Sequence, residues 1–290
     1  MPSSIHFSLA LVRPPTPSVV DGLRVDDGPD PDFAAFVDEH VGYRRALEAA
    51  GVRVEEMALL DAFPDAVFVE DAALCLGSHA IVLRPGAPSR FGEAEAITAD
   101  LEARFATVAR VDDGFVDGGD ILVTDREVLV GLSARTNAAG AEALAAAVAP
   151  TGRPVRVVTT PPGVLHFKTD CAVISADVIF STARLAASEC FDGYDVLVCP
   201  SGEEAAANMI RVNDHVLMRT GFPKTEALLR DSGYDVITVR ADEAAVSNRN
   251  ADGFHRGPVH FERSQRHVRA EVAIGTDLNE LRRVDGAVEL

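Results

Sequence analysis

Polar residues recur at similar points along this 290-residue chain: Glu70–Asp71, Asp117, His166, Asn208 and Asp285. Each lies close to an apolar, strand-like run: FVEDAALCL, VDGGDILV, LHFKTDCAVI, ANMIRVNDHVLM and finally RVDGAV. The first four points fall at intervals of about 40–50 residues, the signature of a repeated supersecondary unit. If such units are arranged around an axis, their equivalent points converge. Carboxylates and a histidine far apart in sequence would then share one pocket.

The runs between these points support the repeat. IHFSLALVR (5–13) reads as a strand and the Pro-rich stretch after it as a loop. Residues 31–50 have helical apolar spacing, with Asp30 as N-cap, Pro31 at the first helical position and Gly51 closing the helix. VRVEEMAL, VFVEDAALCL and HAIVLRP follow as strands, then the helix GEAEAITADLEARF. The order strand, strand, helix, strand returns from FVDGGDILVT, from LHFKTDCAVIS and from NMIRVN, with short hairpin turns at TDRE, SAD and VNDH. Units of this ββαβ kind around an axis predict an α/β propeller. A Rossmann sheet is disfavoured because no Gly-x-Gly-x-x-Gly turn follows a first strand. Residues 241–276 exceed the period, have few large aliphatics and hold His255, His260 and His267; they read as a solvated insertion in a single domain spanning 1–290.

Composition narrows the class. With 45 acidic and 27 basic residues the net charge is −18, which argues against nucleic acid as partner and suits a small, cationic ligand. The four cysteines, Cys75, Cys171, Cys190 and Cys199, form no Cys-x-x-Cys pair and read as buried, reduced thiols. Neither the cysteines nor the histidines show metal-ligand spacing, and no cofactor motif is present. No convincing signal peptide or run long enough for a transmembrane helix is found, so the expected location is the cytoplasm.

Six motifs, in order, carry a resemblance: PDAVFVEDAAL (64–74), RPGAPSR (84–90), VDGGDILV (116–123), GLSARTNAAGAEAL (131–144), LHFKTDCA (165–172) and AAANMIRVN (205–213). Together they closely resemble the dimethylarginine dimethylaminohydrolases, of the pentein group of guanidine-modifying enzymes. The resemblance runs from about residue 5 to 240 and resumes at ELRRVDGAV (280–288). It implies the pentein fold, a five-bladed pseudo-symmetric α/β propeller, and hydrolysis of N-methylated arginine to citrulline and a methylamine without a metal or cofactor. It implies that Asp65 and Asp71 clasp the guanidinium, with Glu70 beside them. By the same resemblance Asp117 orients His166, the general acid and base, and Arg90 and Arg135 hold the α-carboxylate of the substrate. Leu23 and the Val284 backbone line the pocket, and Asp285 supports the nucleophile loop. A monomer or homodimer is expected.

One departure bears on the chemistry. The nucleophile of the family is a cysteine in a Thr-Cys or Ser-Cys step shortly after RVDG. Here VDGAV is followed by Glu289 and Leu290, and leucine cannot form the covalent intermediate. Cys171, five residues after His166, is the nearest other thiol. The expectation is slow turnover with ligand binding kept. The alternatives are an arginine-binding protein without catalysis, or a related arginine deiminase or amidinotransferase.

Overall fold

A computed structural model of the chain describes residues 3–23, 29–162, 164 and 166–247, together with the backbone of the strand at 273–275. The chain opens with β1 (Leu9–Val12), α1 (Phe33–Ala49) and β2 (Arg53–Glu56). The first complete unit is β3 (Ala73–Leu76), β4 (His79–Val82), α2 (Phe91–Glu102) and β5 (Thr107–Arg110). The second is β6 (Ile121–Val123), β7 (Val128–Leu132), α3 (Ala138–Val148) and β8 (Val155–Thr159). The third is β9 (Cys171–Val173), β10 (Val178–Ser181), α4 (Ala183–Ala186) and β11 (Asp195–Val198). The fourth is β12 (Ile210–Val212), β13 (His215–Arg219), α5 (Pro223–Asp231) and β14 (Asp235–Val239), followed by α6 (Asp242–Ser247) and β15 (Ala273–Gly275).

All five sheets share one build. In each of the four units the first strand pairs antiparallel with the second, and the second parallel with the third. The parallel step needs a crossover, and the helix supplies it. The fifth sheet has the order β15-β1-β2, with β15 antiparallel to β1 and β1 parallel to β2. Its inner strand therefore comes from far along the chain and closes the ring. Inner strands touch their neighbours, β15 on β3, β6 on β9 and β9 on β12. This is the five-bladed α/β propeller of the pentein fold. The cores lie between blades: Leu76, Ile81, Val116, Ile121, Val130 and Leu144, for example, join the first and second units.

Local details differ from the sequence expectation in informative ways. The cap of α1 is Asp32, whose side chain accepts the Ala35 N–H, not Asp30; the helix begins two residues later than the Pro31 signal implied. Gly51 does end it, at φ +86°, where a side chain would be strained. The segment 242–247, expected within an insertion, is a helix against α1: Glu39 accepts the Asp242 and Glu243 N–H groups. Strand 273–275 belongs to the fifth sheet. The remainder of the expected insertion, with its three histidines, lies outside the described residues.

The largest difference concerns the strands that carry the polar points. FVEDAALCL, VDGGDILV and LHFKTDCAVI are not strands from their first residue. Each begins with a 3-10 turn, Val69–Ala72, Gly118–Asp120 and Phe167–Thr169, and only then enters its inner strand. A fourth turn, Glu204–Ala207, precedes β12. The first three pack in succession, and the third touches the fourth. The polar residues sit on or beside these turns at one end of the propeller.

Candidate active site

The carboxylate cluster forms around the first turn. Asp65 and Asp71 are 6% and 2% exposed. Among the described residues, the one donor to the Asp65 carboxylate is the Leu23 N–H, 3.2 Å from each oxygen. Burial raises the Asp65 pKa, against the pull of Arg90, the Leu23 N–H and Arg135. Asp71 Oδ1 accepts the Gly119 N–H at 3.2 Å, and its Oδ2 meets Arg90 Nη1. The clasp is thereby bonded directly to the second turn.

That turn, DGGD, places two carboxylates. Gly118 is required at its start: a Cβ there would meet Glu70 O at 1.9 Å. The carboxylate hydrogen-bonded to His166 Nδ1 is that of Asp120, at 3.4 Å, whereas sequence reasoning assigned Asp117 to orient the histidine. Asp117 Oδ1 instead accepts the Gly86 N–H at 2.8 Å, and its own N–H donates to Thr136 Oγ1. The two carboxylates of the turn face different neighbours. Asp120, the last residue of the turn, reaches across to the third blade, where its Oδ1 also accepts the Phe167 N–H. Asp117, before the turn, faces the loop at 84–90. Ser133 Oγ and Thr136 Oγ1 donate to Asp120 Oδ2 at 2.6 and 2.7 Å. Burial acts to raise the Asp120 pKa, but His166 and these two hydroxyls outweigh it and hold the carboxyl below its ordinary value. An ionised carboxylate only accepts, so Nδ1 of His166 carries the proton and Nε2 is the atom left for chemistry. His166 is 1% exposed.

Arg90 differs from expectation. Its Nε and Nη2 meet Glu93, its Nη1 meets Asp71, and Nη2 also donates to the Asp65 and Phe68 carbonyls. A guanidinium has five N–H donors, so at most one Nη1 hydrogen remains, and the fork expected to take an α-carboxylate is already committed inside the protein. The reason lies three residues on: Glu93, in the first turn of α2, closes on Arg90 as an i,i+3 pair. Arg135, 9% exposed, stands with its backbone against Gly86. Glu70 is also not a bare neighbour of the clasp. Its Oε1 pairs with Lys168 Nζ at 3.0 Å. Both line a cavity of about 150 Å³ among the inner strands, which also touches Cys75 and Asn208. Val284 and Asp285 lie outside the described residues, as do Glu289 and Leu290.

The structure thus joins Asp65, Asp71, Arg90, Asp117 and His166 in one bonded network, with Leu23 and Arg135 at its edge. Sequence reasoning missed Asp120, Glu93 and Lys168. Signals existed for all three: the second carboxylate of DGGD, a Glu at i+3 from Arg90, and a Lys two residues after His166.

The thiols are poorly suited to nucleophilic attack. Cys171 is buried, donates to Phe167 O at 3.3 Å and has its pKa pushed up by burial. The half-buried Cys75 lines the cavity among the inner strands, and burial raises its pKa to about 12. All four cysteines are free, and no metal-binding cluster of His, Cys, Asp and Glu occurs among the described residues. Nor is any described helix long and apolar enough to cross a membrane.

Known proteins share this sequence and fold. Residues 36–199 match the arginine deiminase family model. The chain is 36% identical over 239 residues to N(G),N(G)-dimethylarginine dimethylaminohydrolase of Pseudomonas aeruginosa, covering 82% of this chain and 94% of that one. It is 33% identical to the Streptomyces coelicolor enzyme of the same name, covering 81% and 90%. The crystal structure of a cysteine-to-serine mutant of the Pseudomonas enzyme, complexed with citrulline, superposes with a TM-score of 0.78 at 35% identity, covering 82% of this chain and 94% of that one. With its five repeated blades and shared sequence over most of its length, the chain belongs to the dimethylarginine dimethylaminohydrolase family of guanidine-modifying pentein proteins.

Proposed function

We propose that this site binds N-methylated arginine and serves its hydrolysis to citrulline and a methylamine. The observation that carries the reading is the continuity of two devices. The buried carboxylates Asp65 and Asp71 suit a planar cation, and Asp71 is bonded to Gly119, the residue next to the Asp120 that meets His166. A guanidinium is a poor electrophile that stays charged at neutral pH. Carboxylates on its edges fix its plane, and His166 Nε2 moves a proton between the attacking group and the leaving amine. Asp120 keeps Nδ1 protonated and stabilises the imidazolium as it forms. The Pseudomonas relative complexed with citrulline, the product of this chemistry, supports the same ligand class.

In this reading the nucleophile is a thiol in the register of residue 290, occupied here by leucine. Binding does not need that thiol, but fast turnover does. The test is citrulline release from dimethylarginine by the unmodified chain and by a Glu289→Thr/Leu290→Cys variant. The variant should be faster by several orders of magnitude, the scale of restoring a missing catalytic group. Equal rates from both would contradict the assignment. A panel of arginine, monomethylarginine and dimethylarginine separates hydrolysis of methylated arginine from arginine deimination.

A further inference from the structure

We propose that Glu93 is a positioning residue of this site, which holds Arg90 against the Asp65–Asp71 carboxylates and thereby sets the preference for a cationic over a neutral ligand. The proposal rests on the guanidinium reading above and extends it to a residue that does not meet the ligand. Glu93 is 2% exposed and in the first turn of α2. Its oxygens take Arg90 Nε, each at 3.0 Å, and Oε2 takes Nη2 at 2.6 Å. A carboxylate buried this deeply is costly unless paired and hydrogen-bonded, and burial does raise its pKa against the pull of Arg90.

What Glu93 gains for the site follows from how Arg90 is divided. Its Nε–Nη2 edge is turned to Glu93 and to the Asp65 and Phe68 carbonyls, and only Nη1 meets Asp71, at Oδ2. Asp71 Oδ1 receives an uncharged backbone N–H, and so does the Asp65 carboxylate. Glu93 thus absorbs much of the positive charge that Arg90 would otherwise direct at the clasp. The clasp keeps negative charge for an incoming guanidinium. With Glu93 neutral, Arg90 would compensate Asp71 and Asp65 by itself, and a ligand cation would meet a clasp already neutralised. Citrulline, whose ureido group is uncharged, is nearly indifferent to that change.

The test is calorimetric binding of dimethylarginine and citrulline to the unmodified chain and to Glu93→Gln. The cation should bind about tenfold more weakly to the variant, a change of about 1.4 kcal/mol, while citrulline stays within about twofold. In an Asp71→Asn background the Glu93→Gln effect on the cation should shrink, because one of the two clasp charges it acts through is gone while that of Asp65 remains. An equal loss for both ligands, or no loss for the cation, overturns the proposal. If Glu93→Gln does not fold, Glu93→Asp keeps the charge one methylene further from Arg90. It should show a smaller fall of the same sign, confined to the cation, and a fall shared by citrulline contradicts the proposal. Failure of the unmodified chain to bind dimethylarginine would instead overturn the guanidinium reading, and this proposal with it.

Discussion

At the scale of single residues, the division of work between Asp117 and Asp120 gives the sharpest expectations. Asp120→Asn keeps the shape of the turn but removes the charge facing the imidazole. In the thiol-bearing variant it should lower kcat by about 100-fold or more, the range of general acid–base catalysis, with KM changed little. Asp117→Asn should leave His166 bonded to Asp120, and its effect should reach the loop at 84–90 through Gly86. Steady-state kinetics of the two variants side by side checks the assignment. Asp65 sets a pH dependence. Its carboxyl must be ionised to hold a cation, and burial raises its pKa. Affinity for dimethylarginine should therefore fall on acidification at a higher pH than an ordinary carboxylate near 3.9 would give. Citrulline affinity should not follow. The positions of Asp65, Asp71, Asp117 and His166 were legible in the sequence because their motifs are short and ordered. Bonding within the site was not. Which carboxylate of DGGD turns toward His166 depends on how the third blade presents Phe167, and whether Arg90 is open depends on a helix packing Glu93 onto it.

At the scale of elements, the repeated order of strands and helices was legible from apolar spacing, but the 3-10 turns before the inner strands were not. In a run such as FVEDAALCL the two acids are bracketed by apolar residues, so the whole run reads as one strand from its first residue. Only contact with the neighbouring turn, for example Gly118 against Glu70, decides that the polar residues belong to a turn. Helix ends obey a similar logic. The N-terminus of α5 is capped from a distance by Glu203, which accepts the Lys224 and Thr225 N–H groups and the Thr225 hydroxyl. Burial would raise the Glu203 pKa, yet these donors hold it below the usual value. A depressed carboxylate contributes stability that is complete above its unfolded pKa and disappears as pH falls through the folded one. Glu203→Gln should cost about 1 kcal/mol at neutral pH, the scale of a lost N-cap. The difference from the unmodified protein should shrink toward acid. Denaturant melts at a series of pH values read this directly, and a constant difference would contradict the cap.

At the scale of the whole molecule, ring closure is what converts distant motifs into one site. The fifth sheet joins β15 to β1, and Asn213 makes a second closure. At φ +54° in the β12–β13 turn, its side chain accepts the Phe7 N–H and donates to the carbonyls of Phe7 and Ala50. Asn213→Ala loses these bonds and puts alanine, which lacks the short polar side chain that makes the left-handed region tolerable, at φ +54°, so it should destabilise the protein by about 2–3 kcal/mol. Far-ultraviolet circular dichroism and tyrosine fluorescence should report one shared, earlier transition. The closed ring was foreseeable from the period of the repeat. The source of its last strand was not, because residues 273–275 fall in a stretch with few large aliphatics. The central claim is that this ring gathers carboxylates into a guanidinium site, and isothermal calorimetry tests it most directly. Dimethylarginine should bind the unmodified chain, and Asp71→Asn should weaken that binding by roughly 1.5–3 kcal/mol, the scale of a charge-assisted hydrogen bond. No binding to the unmodified chain, or an affinity unchanged by Asp71→Asn, would contradict the account.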